Sequence, residues 1–474
     1  MKTPRQFIVF LLIVLGPTTG LWIVAQSPTH IVIMHTNDIH GQLQPRNGVG
    51  GMAQMATIIR GTNPDLILDA GDLFTGTFLG DEFKGMPTIQ AMNKIGYTSG
   101  TVGNHEFDYG QDVLRMRLRD ARFPILSANL QTPIPEIKKY TVVTAKGIRF
   151  GIIGLTTEET KVTTHPKNLT GITIQDVVKT VQEVLPELRG KSDFIIVTAH
   201  LEDNEEKRVA NAFPEIRLII GGHNHSTLGP NWLGQTLIAK TGSNGRNVGR
   251  VDLDFDGKNL DRIEGQLIPI MNITADPEIT KIIEPYQAKV AAKLAEVVGQ
   301  ATADLTSSNN SESALANVIA DADREKGKTQ IGLHNIGGIR ASILRGPITW
   351  GSVFEVLPFQ NTLVTLKVTG TQLKNALNVD LLAVSGIRVH FDLKKPAGQR
   401  LVSVTLSDGS PIDDSKLYSV TTNDFVVAGG DGFGELGRGR EIRDTGILLR
   451  DVLRDHIKAH RVLSPILDGR ITVN

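Results

Sequence analysis

The 474-residue sequence contains no cysteine. This absence excludes disulfide bonds, thiolate metal ligands and cysteine nucleophiles, and a chain without thiols tolerates an oxidising compartment. The sequence also lacks a charge excess, because 50 Lys and Arg residues balance 50 Asp and Glu residues. Proteins that bind nucleic acid polymers usually carry a basic excess or stripe. We therefore expect no nucleic acid polymer as a partner, and an anionic substrate would be held by a few placed groups.

Apolar stretches long enough to cross a membrane are lacking after the N-terminal segment, residues 1–27. Within that segment, two basic residues precede a largely apolar stretch, residues 7–25, which a Gly-Pro pair interrupts. This pattern predicts a secretory signal that is cleaved near Ala25 or Gln26. The alternative is an uncleaved anchor, because residues 7–25 carry no charge and approach the ~20 residues that span a bilayer. Both interpretations predict export, to the periplasm or the exterior, with membrane attachment only if the segment is uncleaved.

Short apolar runs alternate with amphipathic stretches between residues 30 and 255. The runs are rich in Val and Ile and are bounded by Gly, Asn, Asp or Pro, which is typical of buried strands separated by helices. The sequence therefore predicts an α/β domain over residues 28–275 with a largely buried sheet. Residues 276–298 open with Asp-Pro and are rich in Ala, Lys and Glu, which predicts one connecting helix. Residues 299–474 are predicted to form a second, α+β domain.

Polar residues suited to metal binding follow the predicted strands of the first domain. In open α/β sheets, ligands bind beyond the carboxyl ends of the strands, so these side chains are expected to meet at one rim. The candidate ligands are Asp38, His40, Asp72, Asn104, His200, His223 and His225. Imidazole, carboxylate and amide oxygen suit Zn, Mn, Co or Fe, whereas calcium prefers sites made of oxygen alone. Seven ligands are too many for one ion, but two ions bridged by a carboxylate, as in two-metal phosphoryl-transfer centres, would use them all.

Each of these residues has a simpler explanation when it is taken alone. An Asp or Asn after a strand is more often a turn or helix-capping residue, and a lone histidine is more often structural. Only the seven residues together, each following a predicted strand, specify a metal site. The remaining histidines match no ligand pattern: His35 is expected to be buried structure, and no role is predicted for His165, His334, His390, His456 and His460.

The strand-end motifs resemble those of the calcineurin-like metallophosphoesterases. They are Asn-Asp-Ile-His-Gly at 37–41, Gly-Asp at 71–72, Gly-Asn-His-Glu at 103–106, His200 and Gly-His-Asn-His at 222–225. The second half adds Asn-Ile-Gly-Gly-Ile-Arg at 335–340, Leu-Pro-Phe-Gln-Asn at 357–361 and Gly-Gly-Asp-Gly-Phe at 429–433. Together they resemble the 5′-nucleotidase family, which includes periplasmic UDP-sugar hydrolases and 2′,3′-cyclic phosphodiesterases. The resemblance covers nearly everything after residue 28.

The resemblance implies a four-layer α/β/β/α first domain that binds two divalent ions, with Zn, Mn or Co expected. One ion would be held by Asp38, His40, Asp72 and His225, and the other by Asp72, Asn104, His200 and His223. A hydroxide shared by the ions would attack the phosphorus of nucleoside 5′-monophosphates, with UDP-sugars and 2′,3′-cyclic nucleotides as further candidate substrates. His105, oriented by Asp108, would stabilise charge on the phosphoryl oxygens or on the leaving oxygen.

The same resemblance implies substrate-binding residues in the second domain. Arg340 would contact the phosphate, Asp431 the ribose hydroxyls, and Phe425 would stack on the base. Asn335 and Asn361 belong to the motifs that are expected to line the substrate site.

One aromatic residue expected from the family is missing. Relatives usually carry a second ring just before the Ser-Gly turn at 385–386, to sandwich the base, whereas this chain has Asp-Leu-Leu-Ala at 380–383. Losing one ring removes ~1–3 kcal/mol of base stacking. Ile336 also replaces a usual glycine. We expect Leu381 or Leu382 to offer an aliphatic face to the base, and discrimination among bases to be shallow.

Two alternative functions stay open on sequence grounds. The missing ring is compatible with a phosphate or sulfate ester that is not a nucleotide. The other alternative is a non-catalytic surface binding protein of the same fold. That alternative predicts lost ligands, whereas this chain keeps all seven.

Overall fold

The structure, a computed structural model, describes residues 28–46, 48–227, 229–396 and 398–474. The predicted leader, residues 1–27, lies outside the described residues. Within the described ranges, no helix combines the length and the apolar composition needed to cross a membrane.

The first half alternates strands and helices, as the apolar runs predicted. Its strands are β1 (Thr29–Thr36), β2 (Leu66–Asp69), β3 (Gly100–Thr101), β4 (Ile125–Leu126), β5 (Leu130–Gln131), β6 (Tyr140–Ala145), β7 (Ile148–Thr156), β8 (Thr173–Ile174), β9 (Phe194–His200), β10 (Leu218–Gly221), β11 (Asn231–Leu233), β12 (Thr236–Ala239), β13 (Asn247–Asp256) and β14 (Asn259–Pro269). Its helices are α1 (Met52–Thr62), α2 (Phe78–Glu82), α3 (Met86–Ile95), α4 (Gln111–Asp120), α5 (Thr160–Thr163), α6 (Val177–Lys191) and α7 (Asp203–Ala212), with 3₁₀ turns at His105–Phe107 and Pro166–Leu169.

Two sheets of the first half pack face to face between layers of helices. Their strand orders are β14-β13-β1-β2 and β11-β12-β10-β9-β7-β6. Because side chains alternate between the faces of a strand, Ile152 and Ile196 meet Ile31 of the opposite sheet, whereas Ile153 and Val197 pack against α6 and α7. The outer face of the smaller sheet packs against α1 and α3. The predicted four-layer α/β/β/α architecture is therefore confirmed.

Helix α8 (Pro277–Leu294) joins the two halves and packs against α1 and α3. Asp276 caps it by accepting hydrogen bonds from the backbone N–H groups of Glu278 and Ile279 at 2.9 and 3.0 Å. The predicted helix over residues 276–298 was too long at its C-terminal end. Val297 has left the helix because it pairs with Thr349 in a sheet of the second half.

The second half is a mixture of strands and helices. Its strands are β15 (Val297–Ala301), β16 (Ile331–Asn335), β17 (Gly346–Thr349), β18 (Thr362–Thr369), β19 (Leu382–Ser385), β20 (Ile387–Phe391), β21 (Leu401–Leu406), β22 (Leu417–Asn423), β23 (Arg440–Leu448), β24 (Val462–Leu463) and β25 (Ile471–Val473). Its helices are α9 (Ala314–Gly327), α10 (Trp350–Val356), α11 (Gly370–Leu377), α12 (Asp424–Val427) and α13 (Leu449–His460), with 3₁₀ turns at Ile336–Gly338, Gly430–Gly432 and Leu436–Arg438.

A five-stranded sheet with the order β19-β16-β22-β18-β23 forms the centre of the second half. Helix α9 covers it, packing against β16, β19 and β22. Strands β16 and β22 are parallel neighbours, so Asn335 and Asn423 lie at the same edge of the sheet. The loops after these two strands border the same cleft as the ligand-bearing loops of the first half.

Candidate active site

The seven predicted ligands lie at the C-terminal ends of five strands of the first half: β1, β2, β3, β9 and β10. Five of them have a left-handed backbone, with φ of 49° at Asp38, 49° at His40, 56° at Asp72, 78° at His223 and 57° at His225. A non-glycine residue in this region costs of order 1–3 kcal/mol and persists only where its surroundings hold it there. Such positions cluster at functional sites, so the backbone conformation of these loops supports a functional role for them.

Asp38, His40 and His225 form the first group of possible metal ligands. One ligand atom from each lies within 4.8 Å of the others, and the Nε2 atoms of the two histidines are 2.9 Å apart. His40 donates from Nδ1 to the carbonyl of Thr75 at 2.9 Å, which leaves Nε2 as the acceptor in the neutral ring. Burial lowers the pKa of His40 well below its usual value and that of His225 to about 3, so both rings are neutral at pH 7.

Asp72 and His200 form the second group together with Asp38, and Asn104 borders it. His200 donates from Nδ1 to the Ala70 carbonyl at 2.9 Å, so Nε2 is the acceptor in the neutral ring. That nitrogen is 3.1 Å from Oδ1 of Asn104 and 3.2 Å from Oδ2 of Asp72. The amide and carboxylate oxygens converge on this nitrogen inside the protein, and such a nitrogen and oxygen set fits a divalent metal, which binds the neutral form of the imidazole.

His223 is oriented by two carboxylates. Its Nε2 is 3.0 Å from Oε2 of Glu159 and 3.1 Å from Oε1 of Glu202, which leaves Nδ1 as its available ligand atom. Burial opposes the charged ring, but the two glutamates outweigh it and raise the pKa of His223 to about 10, so a metal ion that binds at Nδ1 displaces a proton from this ring. Carboxylates on the far nitrogen of a ligand histidine fix its ring and its tautomer. The sequence analysis missed both glutamates, because they lie outside the strand-end motifs.

Glu106 connects the loops that carry Asp72 and Asn104. Its carboxylate accepts hydrogen bonds from the backbone N–H groups of Asp72 at 3.0 Å, Leu73 at 2.7 Å and Gly103 at 2.6 Å. The side chain is fully buried. The motif Gly-Asn-His-Glu contained this residue, but its role as a backbone acceptor depends on a loop 33 residues away in sequence.

We expect Glu106→Gln to weaken both the fold and metal binding. The amide would turn a donor towards backbone N–H groups that need acceptors, and each buried group left without its partner costs ~1–3 kcal/mol. Thermal unfolding with a chelator present should show a lower midpoint than the wild type. Isothermal titration with Zn²⁺ should show weaker binding, and an unchanged midpoint and affinity would contradict this structural role.

His105 and Asp108 form a buried pair beside the metal-binding groups. Nδ1 of His105 is 2.8 Å from Oδ2 of Asp108, and the His105 backbone N–H donates to Oδ1 of Asp72 at 3.0 Å. Burial favours the neutral ring, but the charges of Asp108 and Asp72 outweigh it and raise the pKa of His105 to about 9. Phe359 of the second half stacks on His105, with centroids 5.3 Å apart and planes 6° apart. Sequence reasoning gave Phe359 no individual role, although it lies in the Leu-Pro-Phe-Gln-Asn motif.

A cleft of about 290 Å³ lies between the two halves, next to His105. Asp38, His40 and His200 are buried behind its wall. The other predicted site residues line it: Asp72, Asn104, His105, Asp108, His223, His225, Asn335, Arg340, Asn361, Phe425 and Asp431. The guanidinium of Arg340 projects into the cleft, 5.7 Å from the centre of the Phe359 ring.

The second-half wall of the cleft contains a chain of amide and carboxylate groups. Asn423 donates to Oδ1 of Asn335 at 2.9 Å, and Asn335 donates to Oδ2 of Asp431 at 2.8 Å. Phe425 packs flat on Gly430, where a Cβ atom would lie 2.4 Å from the ring and would displace it. One face of the Phe425 ring is therefore covered, and a planar ligand can stack only on the other face.

The expectation that Leu381 or Leu382 faces the base is wrong. Leu381 is 4% exposed and Leu382 is fully buried, and neither lines the cleft. Leu382 pairs with Asn335 in the central sheet, which directs its side chain into the core. The usual second aromatic has no aliphatic substitute at this position.

Two family models match the chain. The calcineurin-like phosphoesterase model covers residues 31–227, and the 5′-nucleotidase C-terminal domain model covers residues 290–438. The metal-binding groups lie within the first match or at its end, and Asn335, Arg340, Phe425 and Asp431 lie within the second.

Known proteins match along nearly the whole chain. The crystal structure of a 5′-nucleotidase precursor from Thermus thermophilus superposes with a TM-score of 0.87 at 33% identity, over 94% of this chain and 99% of that one. Protein UshA of Yersinia enterocolitica is 28% identical over 91% of this chain and 92% of its own length. The trifunctional nucleotide phosphoesterase YfkN of Bacillus subtilis is 30% identical over 96% of this chain, which spans only 35% of that longer protein.

Proposed function

The chain belongs to the 5′-nucleotidase family of metal-dependent phosphoric ester hydrolases, and from this premise we propose that it hydrolyses nucleoside 5′-monophosphates. One observation carries the proposal. A single cleft has the metal-binding groups and His105 on one wall, and Arg340, Phe425 and Asp431 on the other. A nucleotide needs this combination, because its phosphate, ribose and base must all be held at once.

We propose two divalent ions in this site, with Zn, Mn or Co as the candidates. Asp38, His40, Asp72 and His225 would hold one ion, and Asp72, Asn104, His200 and His223 the other. The convergent acceptors around His40 and His200 support this division, and Nδ1 of His223 supplies its donor atom. When bound, two such ions stabilise both the attacking and the leaving oxygen of a displacement at phosphorus.

His105 and Arg340 are proposed to act on the phosphate. With Nδ1 held by Asp108, the Nε2–H of the charged His105 ring is available to donate to a phosphoryl or leaving oxygen. The stacked ring of Phe359 excludes water from one face of this imidazole. Arg340 adds a second positive charge in the cleft, and its planar guanidinium suits the oxygens of a phosphate.

The second half is proposed to bind the nucleoside. Asp431, held by Asn335, presents acceptors for the ribose hydroxyls. The open face of Phe425 would stack on the base. Asn361 lines the same cleft and donates to Oδ1 of Asp424 at 3.1 Å, so it is the least direct of these candidates.

We expect Phe425→Leu to raise KM for all nucleoside monophosphates with little change in kcat. Loss of a base–aromatic stack costs ~1–3 kcal/mol by substitution, and a contact far from phosphorus acts alike in the ground and transition states. Steady-state kinetics with four nucleoside monophosphates measure this. Ribose 5-phosphate is the control substrate, because it has no base and should be hydrolysed equally by both proteins. A fall in kcat for ribose 5-phosphate would contradict a role limited to the base.

Phosphate release from a substrate panel tests the proposed function. The panel contains nucleoside 5′-monophosphates, a UDP-sugar, 2′,3′-cyclic nucleotides and a phosphate ester without a base, each with and without a chelator. We expect metal-dependent release to be fastest with the 5′-monophosphates and to differ little among the bases, because one ring, that of Phe425, is proposed to stack on the base. Faster release from the ester without a base would contradict the proposal.

We also propose export, on the charge and apolar pattern of residues 1–27. Fractionation of the native host, followed by N-terminal sequencing, tests this. Recovery from the periplasm or medium with a start near residue 26 would support a cleaved signal. Recovery in the membrane fraction would support an anchor, and a cytosolic, full-length protein would contradict export.

A further inference from the structure

Two histidines and a glutamate form a cluster in the second half that takes no part in the cleft. His456 and His460 are four residues apart on α13, which places their side chains on one face of the helix. Glu325 lies in the last turn of α9, which packs against α13. One ligand atom from each residue lies within 4.8 Å of the other two. We call Glu325, His456 and His460 the α9–α13 cluster.

Hydrogen bonds already orient both imidazoles. His460 donates from Nδ1 to the backbone carbonyl of His456 at 3.0 Å, so Nε2 carries the lone pair in the neutral ring. Nδ1 of His456 is 2.9 Å from Oε2 of Glu325. The two rings lie side by side, with centroids 4.1 Å apart. These contacts hold two imidazoles and a carboxylate in place before any ligand arrives.

The charges around the cluster favour a cation. The neighbouring lysines are directed to other carboxylates: Lys326 is 3.9 Å from Asp455, and Lys458 is 2.6 Å from Glu296. The groups whose charges act on His456 include His460, Glu325, Asp321 and Asp323, and Asp323 is paired with His334 at 2.8 Å. Asp321 accepts from Arg470 at 2.7 Å, so Glu325 is the one carboxylate among these that is directed at the cluster.

We propose that the α9–α13 cluster binds one divalent transition-metal ion of the zinc, nickel or cobalt type, separate from any ion in the cleft. Two imidazole nitrogens and one carboxylate oxygen are a common ligand set for such ions, with water completing the coordination. Ligands around a tetrahedral ion at ~2.0–2.1 Å lie roughly 3.3 Å apart. The three ligand atoms lie within 4.8 Å of one another, and the Glu325 side chain is 50% exposed, so its carboxylate has room to adjust to an ion.

An ion here would clamp α13 to α9. The clamp has a consequence for the cleft, because α13 also carries Arg450, which donates to the carbonyl of Pro358 at 2.8 Å. Pro358 precedes the ring that stacks on His105. Helix α9 leads into β16, which ends at Asn335. The ion would therefore stabilise the two elements that support the second-half wall of the cleft.

Equilibrium dialysis of the full chain against Ni²⁺ or Zn²⁺, with the bound metal measured by mass spectrometry, tests the site. We expect His460→Ala to bind one equivalent less than the wild type at saturation. His460 is exposed, so its loss should not disturb folding, and activity at saturating metal should stay within about twofold of the wild type. Lys458→Ala is the matched control, because it changes the same turn of α13 without removing a ligand.

Co²⁺ absorption provides a second readout that does not depend on the number of metal equivalents bound. The difference spectrum of wild type minus His460→Ala should contain d–d bands, and Glu325→Gln should reduce them. Equal stoichiometry in the wild type and His460→Ala would overturn the proposal, as would equal loss in Lys458→Ala. Because the experiment compares proteins with the same cleft, it does not depend on the proposed nucleotidase function.

Discussion

Asp72→Asn should yield a folded protein that has lost metal from the cleft and nearly all of its turnover. Oδ2 of Asp72 is 3.2 Å from Nε2 of His200 and 3.8 Å from Nε2 of His40, so one carboxylate oxygen faces both groups of ligands. Burial raises the pKa of this carboxyl, but His200 and His105 outweigh burial and hold it well below its usual range. The native side chain is thus a buried anion, whereas its amide replacement carries no charge.

The expected loss in kcat/KM is at least ~10³-fold, because metal ions contribute several kcal/mol of transition-state stabilisation and each ~1.4 kcal/mol is tenfold in rate. Metal analysis after dialysis, together with phosphate release, measures both effects. Asp69→Asn is a matched control. Asp69 is also fully buried, and burial raises its pKa well above the usual value, but its oxygens accept from the Thr36 hydroxyl at 2.6 Å and the Gly71 backbone N–H at 2.7 Å and belong to neither ligand group. Normal metal content in Asp72→Asn would show that this residue does not bridge the two groups.

His105→Ala should keep the metal and lose ~10²–10⁴-fold in kcat, which is the range for a positioned acid–base group. Nδ1 of His105 is held by Asp108, and its ring lies between the metal-binding groups and Phe359. The side chain therefore touches the cleft without belonging to either ligand group. Metal analysis and kinetics on the same preparation separate catalysis from metal binding.

Asp108→Asn is the companion variant for this experiment. It keeps the volume of Asp108 but removes the charge that supports the protonated ring, so we expect a smaller loss than in His105→Ala. His105→Asn is a second variant with a larger side chain than alanine, so Phe359 is less free to move into the space that the imidazole leaves. If His105→Ala and His105→Asn both lose one ion, His105 is a ligand and its proposed role in charge stabilisation is wrong.

The layered fold was predictable because local sequence determines each strand. The Val- and Ile-rich runs that became β1, β7 and β9 are apolar on both faces, and strands of this kind are buried within layered α/β folds. The predicted ligands followed from the same logic, since each comes directly after such a run. The end of α8 was mispredicted because Val297 pairs with Thr349 in a β-sheet, and no local sequence pattern reveals this long-range pairing.

The supporting residues of the site were beyond sequence reasoning for a similar physical reason. Glu159 and Glu202 orient His223 from two separate loops, and a glutamate in a loop carries no signal of its partner. Phe359 reaches His105 across the boundary between the halves. Leu382 had a plausible position in sequence, but pairing with Asn335 turned it into the core. Strand-end chemistry is local, whereas orientation and packing depend on distant residues.

The left-handed backbone of five ligand positions limits which sequences this fold can explore. Asp, Asn, His and Gly tolerate this conformation, whereas β-branched residues do not. A residue that replaces Asp38, Asp72 or His225 must therefore tolerate a positive φ, whether or not it can bind metal. Descendants of this chain that abandon catalysis should accumulate Asn and Gly at these positions rather than Val or Ile. The loops would then keep their conformation after metal binding is lost, so the fold would persist in proteins that no longer catalyse the reaction.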